Sequence, residues 1–342
     1  MKAIILVGGE GTRLRPLTYS LVKPMVPVAN RPFIEHVIRK LALHGIDEIV
    51  LAMGYRPDSI YAYFKDGSGL DVKLTYSLED RPLGTAGAIK NAAPLIQESV
   101  FVLNGDCFTD LDYSKMYRQH KDHQAKATIA LTHVEDPTRF GVVETDDSEH
   151  VLRFIEKPKW EDVTSHWINA GVYILEPGVL DYIPDNQFYM FENGVFPHLL
   201  EQGDPFYAYR STAYWIDMGT PEQYHRVNDD LLLGNCSSPL HTARDIILGQ
   251  GCEIHPSARL SGPVMLADGC SVGAQAHITG PAVMGRGCRI AEGAVIENSL
   301  LWDDITVAED AIVINSIIAS GAKIDKGQRL EGQTINHRAP TA

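Results

Sequence analysis

The stretch "AIILVGGEGTRLRPLT" at residues 3–18 decides the fold of the first part of the chain. Five apolar residues run directly into two glycines, and Arg13 and Arg15 follow. A buried strand that ends in a glycine-rich loop is typical of an alternating β/α fold. Backbone N–H groups of such a loop can approach phosphate oxygens closely, and arginines can add charge-assisted hydrogen bonds. The stretch therefore predicts a strand followed by an anion site.

Two familiar glycine motifs do not fit this loop. A dinucleotide-binding G-x-G-x-x-G needs glycine where Leu14 stands, and a Walker A loop needs its second glycine where Arg13 stands. Lys23 follows at a distance that lets it fold back over the loop. From these residues alone, a tight turn with solvated arginines is about as good an interpretation as a phosphate site.

Short apolar runs alternate with helical patterns up to about residue 230. Strands are predicted at 2–7, 48–53, 72–77 and 100–105, and helices at 31–45, 82–96 and 112–123. The pattern indicates an α/β domain: a Rossmann-like mixed, mostly parallel sheet with helices on both faces. Residues 126–175 are rich in strands and favour antiparallel additions to that sheet.

From about residue 246 the helical period disappears and a period of six replaces it. Large apolar residues recur at positions 248, 254, 260, 266, 272, 278, 284, 290, 296 and 302, and mostly small residues follow each by four. The register slips after Trp302 and resumes at Val307 and Val313, then again at Ile318. Hexapeptide repeats predict a left-handed parallel β-helix with three hexads in each coil. Trp302 is predicted to point inward, where it fills a wide end or marks a packing contact.

The three cysteines of this repeat lie at one position of successive coils. Cys252, Cys270 and Cys288 are separated by the same interval, which corresponds to three hexads. They are predicted to stack as reduced, buried fillers, since three ligands on one wall cannot surround a tetrahedral ion.

Composition and these patterns indicate where the domains lie and which classes of partner are excluded. The predicted domains are 1–233 and 246–335, with a linker at 234–245 and a tail at 336–342. The formal net charge is −14, which argues against a nucleic-acid or anionic-membrane partner. No apolar run approaches the ~18 residues of a membrane span, and the first residues are too weakly apolar for a signal peptide. A cytoplasmic protein is expected.

Several longer motifs resemble the sugar-1-phosphate nucleotidyltransferases. These are "GGEGTRLRPLT" with "KPMVPVANRP", then "PLGTAGA" (82–88), "FVLNGD" (101–106), "FGVVE" (140–144), "FIEKP" (154–158), "INAGVYIL" (168–175), "FENGVFP" (191–197) and "YWIDMGTPEQY" (214–224). They follow the family order over nearly all of the first domain. The resemblance implies an enzyme that converts an NTP and a sugar 1-phosphate into an NDP-sugar and pyrophosphate, with Mg²⁺ as its cofactor.

The resemblance also implies roles for individual residues. Arg13, Lys23, Asp106 and Asp217 match the catalytic residues, and the two aspartates match the metal ligands. Nucleotide contacts fall on the glycine loop, the base-reading loop and the first aspartate: Gly8, Gly9, Gly11, Thr12, Arg13, Gly84, Thr85 and Asp106. Sugar-phosphate contacts fall on Gly141, Glu156, Lys157, Asn169 and Gly171.

The substrate and the role of the β-helix stay open at this point. "LGTAG" is more similar to the mannose-1-phosphate guanylyltransferases, which implies GTP, whereas a glucose-1-phosphate thymidylyltransferase is the alternative. A regulatory subunit without catalysis is a second alternative, which the intact catalytic residues disfavour. Acyl transfer by the β-helix, with His255, His277 or His337 as base, is a third, but the repeat from Leu248 to Trp302 has no insertion that would form the extruded loop such sites use. The β-helix is expected to join subunits into a homo-oligomer.

Overall fold

The computed structural model describes residues 1–9, 11–54, 58–240 and 245–336. His337, the predicted tail beyond Asn336 and residues 241–244 of the predicted linker lie outside the described residues. Residues 1–9 and 37–215 form one compact unit, called unit 1 below. The described residues of 10–36 and 216–342 form the other, unit 2. The linear domain boundaries at 233 and 246 remain a prediction.

Among the described residues, thirteen strands and six α-helices precede the repeat region. The strands are Lys2–Leu6 (β1), Pro27–Val28 (β2), Arg31–Pro32 (β3), Glu48–Met53 (β4), Lys73–Leu78 (β5), Val100–Asn104 (β6), Cys107–Thr109 (β7), Ala127–His133 (β8), Gly141–Thr145 (β9), Val151–Glu156 (β10), Trp167–Leu175 (β11), Phe206–Ser211 (β12) and Trp215–Asp217 (β13). The helices are Phe33–Leu43 (α1), Asp58–Phe64 (α2), Gly84–Asn91 (α3), Tyr113–Asp122 (α4), Phe196–Glu201 (α5) and Pro221–Leu233 (α6). Each strand and helix predicted in residues 1–123 is present, with ends shifted by a few residues.

Unit 1 is built on one nine-stranded sheet. Its main path runs β10-β9-β11-β6-β1-β4-β5, and β8 and β12 extend it from β11. β1 pairs in parallel with both β4 and β6, and β4 pairs in parallel with β5. β11 is antiparallel to β6 and β8. The sheet is therefore parallel in its first part and gains the antiparallel strands predicted for residues 126–175.

Helices cover both faces of this sheet. Ile129 of β8 lies in a buried cluster with Ile89 of α3 and Phe196 of α5. Its neighbour Thr128 contacts the His120 ring of α4, with 2.7 Å between Oγ1 and Nδ1. Successive side chains of a strand point to opposite faces, so α4 lies on the face opposite α3 and α5. The predicted α/β architecture is confirmed.

The repeat region of unit 2 forms three parallel sheets of short strands. The first contains Ile246–Leu248 (β14), Val264–Leu266 (β17), Ala282–Met284 (β20), Leu300–Leu301 (β23), Ile317–Ile318 (β26) and Thr334–Ile335 (β29). The second contains Glu253–Ile254 (β15), Ser271–Val272 (β18), Arg289–Ile290 (β21), Thr306–Val307 (β24) and Lys323–Ile324 (β27). The third contains Arg259–Ser261 (β16), His277–Thr279 (β19), Val295–Glu297 (β22), Ile312–Ile314 (β25) and Arg329–Glu331 (β28). The predicted β-helix is confirmed.

The predicted register was wrong at Trp302. Met284 pairs with Leu301, which occupies the inward position and is 1% exposed. In the preceding coil, the corner between the third and first sheets contains two residues, Gly280 and Pro281. In the coil that leads to Leu301, the same corner contains Asn298 alone. Because this coil is one residue shorter, the slip occurs before Trp302. The indole Nε1 of Trp302 instead donates to the Tyr224 hydroxyl of α6 at 2.9 Å.

The cysteine register was predicted correctly, but the predicted burial holds only for Cys270 and Cys288, since Cys252 is partly exposed. Glu253, Ser271 and Arg289, which follow the three cysteines, pair with one another on neighbouring coils. All three thiols are free, and the Sγ atoms of Cys270 and Cys288 donate to backbone carbonyls at 3.1 and 3.0 Å. Within the described part of the chain, no helix is long and apolar enough to span a bilayer.

Candidate active site

Four loops of unit 1 meet at one edge of its sheet. Strands β6, β1, β4 and β5 lie side by side, and their following loops carry Asp106, Gly8, Gly54 and Glu79. Carboxyl ends of parallel strands share an edge, and open α/β sheets bind ligands there. Gly105 donates its N–H to Leu6 O at 2.9 Å, and a Cβ at Gly105 would lie 2.4 Å from that oxygen. This close approach brings the residue before Asp106 against the end of β1, and Asp106 follows the carboxyl end of β6.

Glu79 is a functional candidate that the sequence analysis missed. Its Oε2 accepts the N–H of Leu83 at 2.9 Å. Its Oε1 lies 3.7 Å from the position of a Cβ on Gly8, so the carboxylate faces the start of the glycine loop. Burial raises the pKa of Glu79 above its ordinary value. The signal available in the sequence was an acidic residue directly after a strand at this edge.

The "PLGTAG" loop is held by the segment 187–192. Ala86 and Gly87 both donate their N–H groups to Tyr189 O, at 3.0 and 3.1 Å. Gly84 has φ +74°, and a Cβ there would lie 2.6 Å from Tyr189 O. The hydroxyl of Thr85 accepts the N–H of Phe191 at 3.1 Å and donates to Glu192 at 3.3 Å. Gly84 is therefore required by the protein's own packing, and Thr85 ties this loop to Glu192.

Two of the predicted sugar-side residues, Asn169 and Gly171, lie at a bulge in β11. Asn169 Oδ1 accepts the N–H of Gly171 at 2.8 Å, and its Nδ2 donates to the Tyr173 hydroxyl at 2.8 Å. The pairing of β11 with β8 shifts between Asn169 and Tyr173. Gly171 has φ +73°, and a Cβ there would meet the Asn104 amide at 2.9 Å. The bulge thus brings Asn169 and Gly171 to the end of β6.

Glu156, Lys157 and Glu192 form a second cluster on this side. Gly141 pairs with Glu156 across β9 and β10, and a Cβ at Gly141 would overlap the Phe154 ring at 2.4 Å. Lys157 Nζ lies 3.2 Å from Glu156 Oε1. Burial, and to a lesser degree the charge of Glu156, raises the pKa of Glu192. Glu192 was not predicted as a site residue, although it lies within the quoted motif "FENGVFP".

Unit 2 contains the other predicted catalytic residues, gathered around one carboxylate. Arg13 Nη2 lies 3.5 Å from Asp217 Oδ2, and Lys23 Nζ lies 3.8 Å from Asp217 Oδ1. The side chains of Lys23 and Asp217 are 9% and 15% exposed, whereas that of Arg13 is 59% exposed. Two cations from the segment after β1 thus converge on a carboxylate at the end of β13.

Two glycines make this convergence possible. Gly11 has φ +63°, and a Cβ there would lie 3.0 Å from both Lys23 Cβ and Thr18 Cγ2. A Cβ at Gly219 would lie 3.0 Å from Arg13 Cζ and 3.0 Å from Asp217 Oδ2. The Arg13 guanidinium therefore lies against the backbone of Gly219, where a side chain would leave it no room. This residue was missed, although it lies in the quoted motif "IDMGTPEQY".

The carboxylates fit the expected magnesium chemistry. Among the described residues, no group of three or more His, Cys, Asp and Glu side chains gathers into a metal cage. Mg²⁺ in nucleotide sites takes one or two carboxylates together with phosphate oxygens and water, so a cage is not required. Asp106 and Asp217 are hard oxygen donors of the kind that this ion prefers.

Comparison with known proteins decides the family. The family model described as nucleotidyl transferase matches residues 2–233. The chain belongs to this family, that of the sugar-1-phosphate nucleotidyltransferases. A second model, described as the EIF2B subunit epsilon LbH domain, matches residues 243–338. The family and the repeat domain predicted from the sequence are both confirmed.

The relatives differ in the base and the sugar that their names print. The mannose-1-phosphate guanylyltransferase of Mycobacterium tuberculosis is 39% identical over 285 residues, covering 77% of this chain and 79% of the relative. The mannose-1-phosphate guanyltransferase of Candida albicans is 39% identical over 347 residues, covering 98% and 90%. The UTP–glucose-1-phosphate uridylyltransferase of a Synechocystis species is 32% identical over 345 residues, covering 95% and 89%.

Solved structures resemble about two thirds of the chain. HddC from Yersinia pseudotuberculosis, complexed with GMP-PN, has a TM-score of 0.58 and 32% identity, covering 67% of this chain and 98% of that one. A structure named as a glucose-1-phosphate thymidylyltransferase from Bacillus anthracis has a TM-score of 0.62 and 26% identity, covering 67% and 94%. The curated relatives and the Bacillus anthracis structure are all named as nucleotidyltransferases, whereas the base in their names differs.

Proposed function

We propose that this enzyme makes GDP-mannose and pyrophosphate from GTP and mannose 1-phosphate. An oxygen of the sugar phosphate attacks the α-phosphorus and forms a new P–O bond, while the bond from the α-phosphorus to the bridging oxygen breaks. The electron pair of that bond leaves with pyrophosphate. Such a reaction demands mainly that two anions be positioned and that the charge of the leaving group be neutralised.

Arg13 and Lys23 supply that neutralisation. Both form ion pairs with the Asp217 carboxylate, which hold the two cations close to each other. Arg13 is the exposed member and takes the leaving pyrophosphate by charge-assisted hydrogen bonds. Lys23 is almost buried and acts as a fixed positive charge toward the α-phosphate.

Asp106 and Asp217 are the residues that would hold Mg²⁺, which neutralises phosphate charge when it is bound. On the sugar side, the Glu156 carboxylate accepts hydroxyl groups of the hexose, and Lys157 pairs with its phosphate. Asn169 and Gly171 complete the ring contacts. These roles rest on the family motifs, and for Asn169 and Gly171 also on their position near the end of β6.

The choice of guanine rests on one observation, the Glu79 carboxylate that faces Gly8. Guanine carries two adjacent donors, N1–H and the N2 amino group, which a carboxylate accepts together. Uracil and thymine place a single N–H between two carbonyl oxygens, which repel a carboxylate. Glu79 therefore favours GTP over UTP and dTTP. The choice of mannose rests on the names of the relatives.

A matrix of four NTPs against mannose and glucose 1-phosphates, read by pyrophosphate release, tests the proposal. GTP with mannose 1-phosphate is expected to have the highest kcat/KM. A higher value for dTTP or UTP with glucose 1-phosphate would replace it with the thymidylyl or uridylyl alternative. Absence of turnover in every pair, with GTP still bound, would support a regulatory subunit. We further propose a cytoplasmic enzyme that forms homo-oligomers through its β-helix.

A further inference from the structure

The segment after the glycine loop is bonded to the other elements of unit 2 along its length. Near its start, Asn336 of the last coil donates Nδ2 to Pro16 O at 2.9 Å and to Ser20 Oγ at 3.2 Å. Near its end, Asn30 donates Nδ2 to Met284 O, in a central coil, at 2.9 Å. The β-helix therefore bonds this segment on both sides of Lys23.

A third connection runs through two buried aromatic side chains. Trp302 Nε1 donates to the Tyr224 hydroxyl at 2.9 Å, and that hydroxyl donates to Pro27 O at 2.6 Å. Tyr224 and Trp302 are 1% and 4% exposed. Burial raises the pKa of Tyr224, so its hydroxyl stays protonated and remains a donor. The two bonds form a chain in one direction, in which each polarises the next.

The turn between β2 and β3 shows why such support is needed. Ala29 and Asn30 have φ +45° and +62°, a left-handed conformation that is costly for alanine. Ala29 donates its N–H to Asn228 Oδ1 at 2.9 Å, and Asn228 is 1% exposed. Strained turns persist only where their surroundings determine them. Here α6 and the β-helix supply those surroundings.

We infer that the β-helix positions the phosphate-binding segment of the active site, with Trp302, Tyr224 and Asn336 as positioning residues. The inference rests on the proposed function, since it takes Arg13 and Lys23 as the groups that bind the triphosphate. Lys23 lies between the Pro16–Ser20 contact and the Pro27–Asn30 contacts, so a displaced segment carries its ammonium away from Asp217. The β-helix then acts on nucleotide binding and not only on assembly.

Kinetics of the full-length variants Trp302→Phe, Tyr224→Phe and the double variant test the inference. Tyr224→Phe is expected to lower kcat/KM for the NTP by about tenfold, the scale of one or two lost hydrogen bonds. KM for the sugar 1-phosphate should change less than about twofold, because its proposed contacts all lie in unit 1. The double variant should be no worse than Tyr224→Phe, since the second change removes a bond that is already lost.

Amide exchange provides a readout that does not depend on turnover. Peptides covering residues 11–30 should exchange faster in Tyr224→Phe and in Asn336→Asp, where a carboxylate faces Pro16 O. Peptides from the β-helix strands should be unchanged. Inorganic pyrophosphate should bind about tenfold more weakly to both variants by titration calorimetry, on the same hydrogen-bond scale. Asn235→Ala is the matched control, because Asn235 lies in unit 2 and bonds only Asp230 among the described residues.

The outcomes separate this inference from the proposed function. Unchanged exchange in residues 11–30, or equal rises in KM for both substrates, would overturn the positioning role even if GTP and mannose 1-phosphate prove to be the substrates. If the wild-type enzyme turns over no NTP, the proposed function fails, and the exchange and pyrophosphate measurements still decide the positioning role. A variant that misfolds is recognised by a lost unfolding transition, and Asn336→Asp then decides the question.

Discussion

The Arg13 guanidinium lies 3.5 Å from the Asp217 carboxylate, measured from Nη2 to Oδ2. Lys23 approaches the other oxygen of the same carboxylate at 3.8 Å. One aspartate thus holds two cations whose mutual repulsion would otherwise separate them. Asp217 consequently has two proposed tasks, to hold these cations and to bind the metal.

Asp217→Asn and Asp106→Asn are each expected to lower kcat at least about 100-fold, the scale of one preorganised group that stabilises transition-state charge. Each removes a charge that the metal needs, and Asp217→Asn also releases Arg13 and Lys23. Pyrophosphate release over a Mg²⁺ titration measures the loss, with thermal unfolding as the check on folding. The exposed Asp147→Asn serves as control. Near wild-type kcat in either variant would contradict the metal assignment.

Gly219→Ala should displace the Arg13 guanidinium, since the new methyl would lie 3.0 Å from Arg13 Cζ. We expect kcat/KM to fall about tenfold, whereas Arg13→Ala alone should cost about 100-fold. In the Arg13→Ala background the glycine substitution should have almost no further effect, because nothing remains to be displaced. Fully additive losses in this double-mutant cycle would show that Gly219 acts on another group.

Glu79→Gln should reduce the preference for GTP. Loss of a charged acceptor is expected to lower kcat/KM for GTP by about 10- to 100-fold. Inosine triphosphate lacks the N2 amino group, so the wild type should discriminate against it and Glu79→Gln should discriminate far less. Asp80→Asn, an exposed neighbour, is the control. A GTP-to-ITP ratio that is unchanged in Glu79→Gln would indicate that this side chain only caps Leu83.

Glu192→Gln should stabilise the protein at neutral pH. Burial raises the pKa of Glu192 above its ordinary value of 4.5, with Glu156 adding to the shift and Lys157 opposing it. The folded state then binds more protons than the unfolded state above pH 4.5, so the free energy of unfolding falls as pH rises through this window.

Glutamine carries no charge, so the variant should unfold at a higher Tm than wild type at pH 8, by roughly 2–4 °C for each kcal/mol removed. Near pH 4 the two curves should coincide. Calorimetric scans at both pH values measure this, and Glu201→Gln on α5, which is exposed, is the matched substitution. A Tm of Glu192→Gln below that of wild type at pH 8 would show that the ionised carboxylate is a favourable partner in the folded state.

Local patterns in the sequence were enough to predict many of the strands, the coils of the β-helix and the family. Apolar runs that end in glycine or aspartate located β1 and β6, because a buried strand needs such a run and a turn to end it. The six-residue period located the coils, since each coil buries the same positions. Motif order identified the family, and from that family it predicts catalytic roles for Arg13, Lys23, Asp106 and Asp217. Each of these inferences depends only on residues that lie close together in the sequence.

Other features were decided by contacts between distant segments. The shortened corner at Asn298 moved the inward position to Leu301 and turned Trp302 toward Tyr224. No periodicity reveals this, because one residue more or fewer in a corner leaves the strands unchanged. The sequence likewise shows no reason for Glu79 to face Gly8, since the two are neighbours only after β1, β4 and β5 pair. Tertiary structure decides such contacts because they join residues whose separation along the chain carries no signal.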